Sequence, residues 1–288
     1  MIPGKNMVKM SPRTRWRYAV NNVMLTLTAL CTLSTISILF FILGYLVVNG
    51  ISSIDLAFFT QLPKSPGEAG GGMANAIVGS MMMVGIASFI GIPVGFFGGI
   101  YLAEYDTGWF ANAVRYTADL LNGIPSIVLG IVAWNLLVVP MKSFSAWAGG
   151  VALSLILIPI IVRSTEQFLR AVPNSLREGS LALGANKATT TLSVIVPAAR
   201  RGILTGIILG VARIAGETAP LLFTSLNNQF WTTNLGQPTA SLPVMIFTHA
   251  ISPYDDWHRQ AWAAGLVLLT IVLLANIAAR YVVSRNAG

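Results

Sequence analysis

Charge is scarce in this sequence: Asp, Glu, Lys and Arg make up 10% of 288 residues, while 55% are hydrophobic. A soluble domain carries about a quarter of its residues as charges, so a water-exposed globular fold is excluded and a polytopic membrane protein is implied. Cysteine is nearly absent. The single one, Cys31, lies inside an apolar run, which excludes an internal disulfide and a cysteine-based metal site. Histidine occurs twice, as His249 and His258, nine apart and without neighbouring cysteines, which falls short of the ligand count and spacing of usual metal sites. Also missing are a Gly-x-x-x-x-Gly-Lys-Ser/Thr phosphate loop, a His-Glu-x-x-His motif and a Gly-x-Ser-x-Gly elbow, and no nucleophile–base constellation suggests an intramembrane enzyme. If ATP and Mg act with this chain, another subunit binds them, and no cofactor is expected in the chain itself.

The net charge is +8. The basic residues form no single patch for nucleic acid; they cluster in segments that alternate along the chain, as membrane orientation requires. Residues 1–22 carry Lys5, Lys9, Arg13, Arg15 and Arg17 without an acid, and an apolar run from Val23 to Val48 follows. That run is nearer a full bilayer span than the roughly 7 to 15 apolar residues of a cleavable signal, so it is read as an uncleaved first helix.

Asn49 to Gly72, with Pro63, Pro66 and a glycine run, suits an exposed loop. The second span is expected from Met73 to Ile100, where Gly91, Gly95 and Gly99 share one face and favour close helix packing over a ligand role. Residues 101–119, with Glu104, Asp106, Arg115 and Asp119, read as a polar connection; Leu120 to Val139 is the third span, with Pro125 near its start. Trp147 to Val162 is a short fourth span containing Pro159. The fifth runs from Gly202 to Phe223 and the sixth from Ala261 to Val283, separated by a long connection, 224–260. Fourteen of the eighteen basic residues fall on the side of the two termini and the 163–201 loop, three on the other side, and Arg213 within a span. Positive-inside counting therefore places both termini and that loop in the cytoplasm.

Within 163–201, Ser175-Leu176-Arg177-Glu178 reads as a capping box starting a short helix. Gly184 suits its left-handed end, Asn186 can cap a second helix, and Pro197 is a poor interior residue for the continuation. The spacing Glu178-Gly179-Ser180-x-x-x-Gly184, followed by Val194-x-Val196-Pro197, resembles the EAA loop of ABC importer permeases, with Gly179 and Ser180 in place of two alanines. Four further stretches resemble the phosphate-import permeases of the PstA type: Gly70 to Ala76, Tyr101 to Tyr105, Pro125 to Val128 and Ala212 to Phe223. Asn228-Gln229-Phe230-Trp231 joins them, and the similarity covers most of the chain.

The resemblance implies an all-α, six-span membrane protein of the MetI-like permease fold, with cytoplasmic coupling helices. It further implies a heterodimeric permease completed by a PstC-type sister subunit, a PstB-type ATPase pair that hydrolyses ATP with Mg, and an external PstS-type phosphate-binding protein. The expected organisation is a basic N-terminus, 1–22, a permease domain, 23–284, and a tail, 285–288, in the inner (plasma) membrane. The expected ATPase coupling surface comprises Ser175, Leu176, Arg177, Glu178, Leu181, Leu183, Gly184, Ala185 and Asn186.

Arg213 and Glu217, four apart, are the only charges deep within an expected span. From Gly202, Arg213 lies roughly 16 Å along the helix, near the middle of a ~30 Å hydrocarbon core. A bland reading has the two neutralise each other. The sharper one has Arg213 offer its planar fork of donors to a tetrahedral oxyanion, with Thr218 as a hydroxyl donor and Glu217 holding or releasing the arginine. Phosphate is the expected cargo, and molybdate or sulfate the nearest alternative. An ion-coupled secondary transporter using Glu217 as proton carrier is the rival class, although no convincing inverted repeat supports it.

Overall fold

A chain crossing lipid must satisfy its backbone internally, and the apolar runs accordingly form helices. The computed structural model describes residues 11–65, 67–68, 70–105 and 108–285, with side chains to Tyr281. Expectations on Lys5, Lys9, Pro66, Asp106 and residues 286–288 fall outside these. No strand occurs among the described residues, only an isolated antiparallel bridge between Pro63 and Gly71. By its contacts the chain divides into two units, residues 1–48 and 49–288.

From Pro12 on, the first unit lies within helix α1 (Pro12–Gly50), which is 39 residues long. Thr26, Thr28, Thr32 and Thr35 each return their hydroxyl to the carbonyl four residues back. Their polar groups are thereby satisfied within the helix, as an apolar environment demands.

In the second unit, a 3₁₀ turn (Ile51–Ser53) leads to the short α2 (Leu56–Thr60), capped by Asp55, which accepts from the Phe58 amide at 2.8 Å. α3 (Ala74–Glu104) follows, then α4 (Trp109–Gly123) and α5 (Ser126–Ala133), which continues through a π turn (Trp134–Val138) into α6 (Val139–Met141). α7 (Ala146–Arg170) is the central helix: 67% of its apolar window is buried, against 22% for α3. The polar segment after it contains α8 (Asn174–Ala182) and α9 (Lys187–Thr189), which runs through a second π turn (Thr190–Ile195) into α10 (Val196–Ala215). The remainder is α11 (Ala219–Thr224), α12 (Leu242–Ala250) and α13 (Asp255–Arg285).

Small residues set the packing around α7. A Cβ on Gly95 would sit 2.6 Å from the Ile161 Cβ, so only glycine lets α3 approach this closely, and Gly91 and Gly99 face Leu157 and Thr165 in the same way. The second glycine stripe works from the other side: Gly202, Gly206 and Gly210 of α10 face Phe168, Ser164 and Leu157. The order of partners shows that α3 runs parallel to α7 and α10 antiparallel to it. Met83, Leu153, Leu157, Ile161, Ile214 and Leu221 lie in the resulting core.

Among the described residues five helices are long and apolar enough to cross a membrane, and α4 with α5–α6 is so too if the pair is taken as one span bent by 107°. Six spans are thus reached only if that bent pair counts as one. The expected third span, Leu120 to Val139, is two helices meeting at an elbow. Ile124, ahead of Pro125, is extended (φ −74°, ψ 134°), because proline disfavours helical geometry in the residue before it. Half of the expected connection at 101–119 is therefore helix α4. The fourth span is not short: it continues past Val162 to Arg170, supported by ion pairs of Glu166 with Arg163 and Arg170 at helical spacing.

The fifth span is interrupted. α10 ends at Ala215 and α11 resumes at Ala219, where Pro220 sits at a helix start that tolerates its missing amide. Pro197, expected to resist the continuation after Asn186, instead lies within one helical run from Lys187 to Ala215. The π turn just before it widens the spacing of the carbonyls that its ring would otherwise meet.

Candidate functional site

The polar segment after α7 is built by short-range capping. α8 begins at Asn174 with Pro173 as its N-cap, and no side chain caps it, so the expected Ser175–Glu178 box does not form. The Pro173 carbonyl accepts from the Leu176 amide at 3.2 Å, starting the helix early enough to place Ser175 inside its first turn. The other signals hold: Gly184 has φ +86°, and the Asn186 side chain accepts from the Thr189 amide at 2.8 Å. Leu176, Leu181 and Leu183 are exposed, the last at 90%, beside exposed Ser175, Glu178, Gly184 and Asn186 and half-buried Ala185. Three leucines thus stand exposed on an otherwise polar loop.

Arg177 departs from the expected surface role. Its guanidinium turns inward, donating to Glu104 Oε1 at 2.9 and 3.3 Å, to the Leu169 carbonyl at 2.8 Å and to the Val172 carbonyl at 2.7 Å. It thereby fastens α8 to the ends of α3 and α7. Lys187 stands 4.3 Å above the Tyr105 ring and adds a second fastening of α9 to the same end of α3.

Glu166 was not singled out in the sequence. Its side chain is 3% exposed and takes Arg115 Nε at 2.6 Å, Arg163 Nη1 at 2.7 Å and Arg170 Nε at 3.1 Å. Arg163 also reaches Asp119 at 2.9 Å. Arg115 and Arg170 both donate to the Leu102 carbonyl, at 3.0 and 3.1 Å, in the last turn of α3. Three guanidinium groups around one buried carboxylate occupy both its oxygens, Arg115 and Arg170 on Oε1 and Arg163 on Oε2, and offset the cost of taking its charge out of water.

The other charged pair is open. Arg213 lies in the last turn of α10 and Glu217 in the break beyond it, so the two do not share one helix face as their spacing suggests. The Arg213 Nε is 3.9 Å from Glu217 Oε1, beyond hydrogen-bond distance, and the side chains are 53% and 17% exposed. The Arg213 guanidinium makes no hydrogen bond among the described residues, and its donors are unspent. Thr218, half-buried, follows in the same break, and its carbonyl accepts from the Leu221 and Leu222 amides.

The two histidines go to separate partners. His249 is buried and stacks on Trp257 at 4.3 Å, and burial lowers its pKa to about 4. His258 contacts the Ser252 carbonyl through Nε2 at 2.6 Å. Around them the long connection is stitched to the rest of the bundle. The Ala146 and Trp147 amides donate to the Gln237 and Leu235 carbonyls, and Asn75 Nδ2 reaches the Asn228 carbonyl at 2.6 Å.

The model of the family described as binding-protein-dependent transport system inner membrane component matches residues 92–288. The phosphate transport system permease protein PstA of Yersinia pestis is 46% identical over 272 residues, covering 94% of this chain and 92% of that protein. PstA of Haemophilus influenzae is 44% identical over 269 residues, covering 93% and 95%. Among solved structures, a chain of the bacterial alginate ABC transporter, crystallised with its alginate pentasaccharide-bound periplasmic protein, superposes with a TM-score of 0.67. It is 14% identical and covers 94% of this chain and 97% of that one.

Proposed function

The chain belongs to the family of binding-protein-dependent transport system inner membrane components and is a permease subunit of a phosphate ABC importer, and we propose that Arg213 is its phosphate contact in the translocation pathway. The observation that carries this reading is the half-exposed guanidinium at the α10–α11 break, with none of its donors spent on the described residues. A planar fork of N–H groups matches two oxygens of a tetrahedral oxyanion. Glu217, close enough to compete but too far to hydrogen-bond, holds the arginine between passages and yields it when phosphate arrives. Thr218 adds a hydroxyl donor from the same break.

Exposed Leu176, Leu181 and Leu183, with Ser175, Glu178, Gly184, Ala185 and Asn186 around them, support docking of a PstB-type ATPase pair that binds ATP and Mg. Arg177 belongs to that segment as its inward anchor. A PstC-type permease would complete the pathway and a PstS-type protein would deliver phosphate at the opposite face. This arrangement has both termini and the α8–α9 loop in the cytoplasm, in keeping with the distribution of basic residues. Residues 23–284 then form the membrane domain, with 224–260 outside.

The test is labelled-phosphate uptake into proteoliposomes holding this chain and its co-purifying subunits, with and without ATP and with sulfate and molybdate as competitors. ATP-dependent uptake, blocked by phosphate but by neither competitor, is expected. Uptake that follows a proton gradient without ATP would overturn the docking reading.

A further inference from the structure

A run of tight contacts and helices leads from the docking segment to the break beside the open arginine. Arg177 fixes α8 to Glu104, whose side chain is 7% exposed, in the last turn of α3. Two residues earlier, the Leu102 carbonyl is held by Arg115 of α4, which is itself locked to buried Glu166. α4 ends at the 107° elbow of Gly123–Pro125, and α5 leaves that elbow to pack on α11. There the approach is backbone to backbone: a Cβ on Gly130 would lie 2.6 Å from the Pro220 Cα. Pro220 stands at the start of α11, two residues beyond Thr218 and next to the break that carries Glu217.

We propose that this run is the route by which displacement of α8 reaches the phosphate contact: Glu104 and Glu166 are positioning residues that tie α3, α4 and α8 to the C-terminal end of α7 as one body, and the elbow turns that motion into movement of α5 and of the α11 break it packs on. The inference rests on the docking reading above. Its physical basis is that the joints before the elbow are short and charge-assisted on two buried carboxylates, so they transmit displacement, whereas the elbow is a break in the helix at Pro125. A helix broken at proline lacks the continuous hydrogen-bond ladder that would hold α4 and α5 at one angle, so motion delivered to α4 can appear as a change of angle there. The quantity that reads energetic coupling along this route is phosphate moved per ATP hydrolysed.

Glu104→Gln keeps the length of the side chain and removes its charge, and Gly130→Ala wedges the opposite end of the route. Each is purified with its partner subunits, and three quantities are read: ATPase stoichiometry, ATP hydrolysis, and phosphate imported per ATP. Assembled variants should keep the wild-type stoichiometry and continue to hydrolyse ATP, while the import ratio falls at least tenfold. Glu104→Asp should retain most of the ratio. A wild-type ratio in either assembled variant overturns the route. So does loss of the ATPase from Glu104→Gln, which would make Glu104 part of docking alone. Failure of the docking reading shows differently: the wild-type chain would then purify without an ATPase, or Leu183→Asp would leave the ATPase bound.

Discussion

Glu166 and Arg213 sit on α7 and α10, helices that pack against each other, and their charges are held in opposite ways. Glu166 is closed: three arginines contact it at 2.6 to 3.1 Å and solvent barely reaches it. Arg213 is open: its one counter-charge stands 3.9 Å away and half of its side chain is exposed. Pulling the arginines off Glu166 would leave a carboxylate that is 3% exposed without its counter-charges, so the helices they join resist moving apart. An unsaturated pair can exchange partners at little cost. Transport requires both behaviours in one subunit, stiffness where motion is received and a loose contact where cargo passes.

The contrast is sharpest in stability. Replacing Glu166 with Ala should destabilise the protein by about 3–5 kcal/mol, the usual penalty for removing one partner of a buried ion pair. Glu217→Ala should change it by less than about 1 kcal/mol. Heat denaturation of the detergent-solubilised assembly measures both. Equal losses would break the distinction between a closed and an open pair.

Transport should rank the other way. Arg213→Gln removes the charged fork and is expected to reduce phosphate uptake by at least about 100-fold, or ~2.7 kcal/mol of barrier, while leaving the unfolding transition in place. Preserved uptake would return Arg213 to simple charge neutralisation. Arg213→Lys is the finer probe. It keeps the charge but loses the bidentate geometry, so uptake should fall about tenfold. Full activity with lysine would mean that charge alone suffices at this position.

The sequence made the spans readable because long apolar runs tolerate little else, and it made the α8–α9 loop readable because glycine at φ +86° and an asparagine cap are local signals. Breaks inside apolar runs were harder. The interruption at Gly216–Thr218 and the elbow at Pro125 leave hydropathy unchanged while redirecting the backbone. The Glu166 network was hidden for a different reason. Arg115 is 51 residues from Glu166, and Arg177 is 73 from Glu104, so no periodicity links them. One clue was present: Arg163, Glu166 and Arg170 recur at three- and four-residue spacing, which marks a helix continuing beyond the apolar end of its span.

Glu217 offers the smallest and most discriminating test. If it holds Arg213 between transport events, removing its charge while keeping its size should help capture and hinder release. At 3.9 Å, two charges attract by about 1 kcal/mol in water and more in a drier site; half-exposure of the arginine keeps the pair toward the lower limit. Glu217→Gln should therefore tighten apparent phosphate affinity about threefold and lower the maximal uptake rate by a similar factor, ~0.7 kcal/mol in each direction. Measuring uptake across a phosphate concentration series separates the two effects. A fall in affinity would instead show that the carboxylate aligns the guanidinium for phosphate, and the pair would then be a preorganised site, closer in kind to the Glu166 network than to a loose gate.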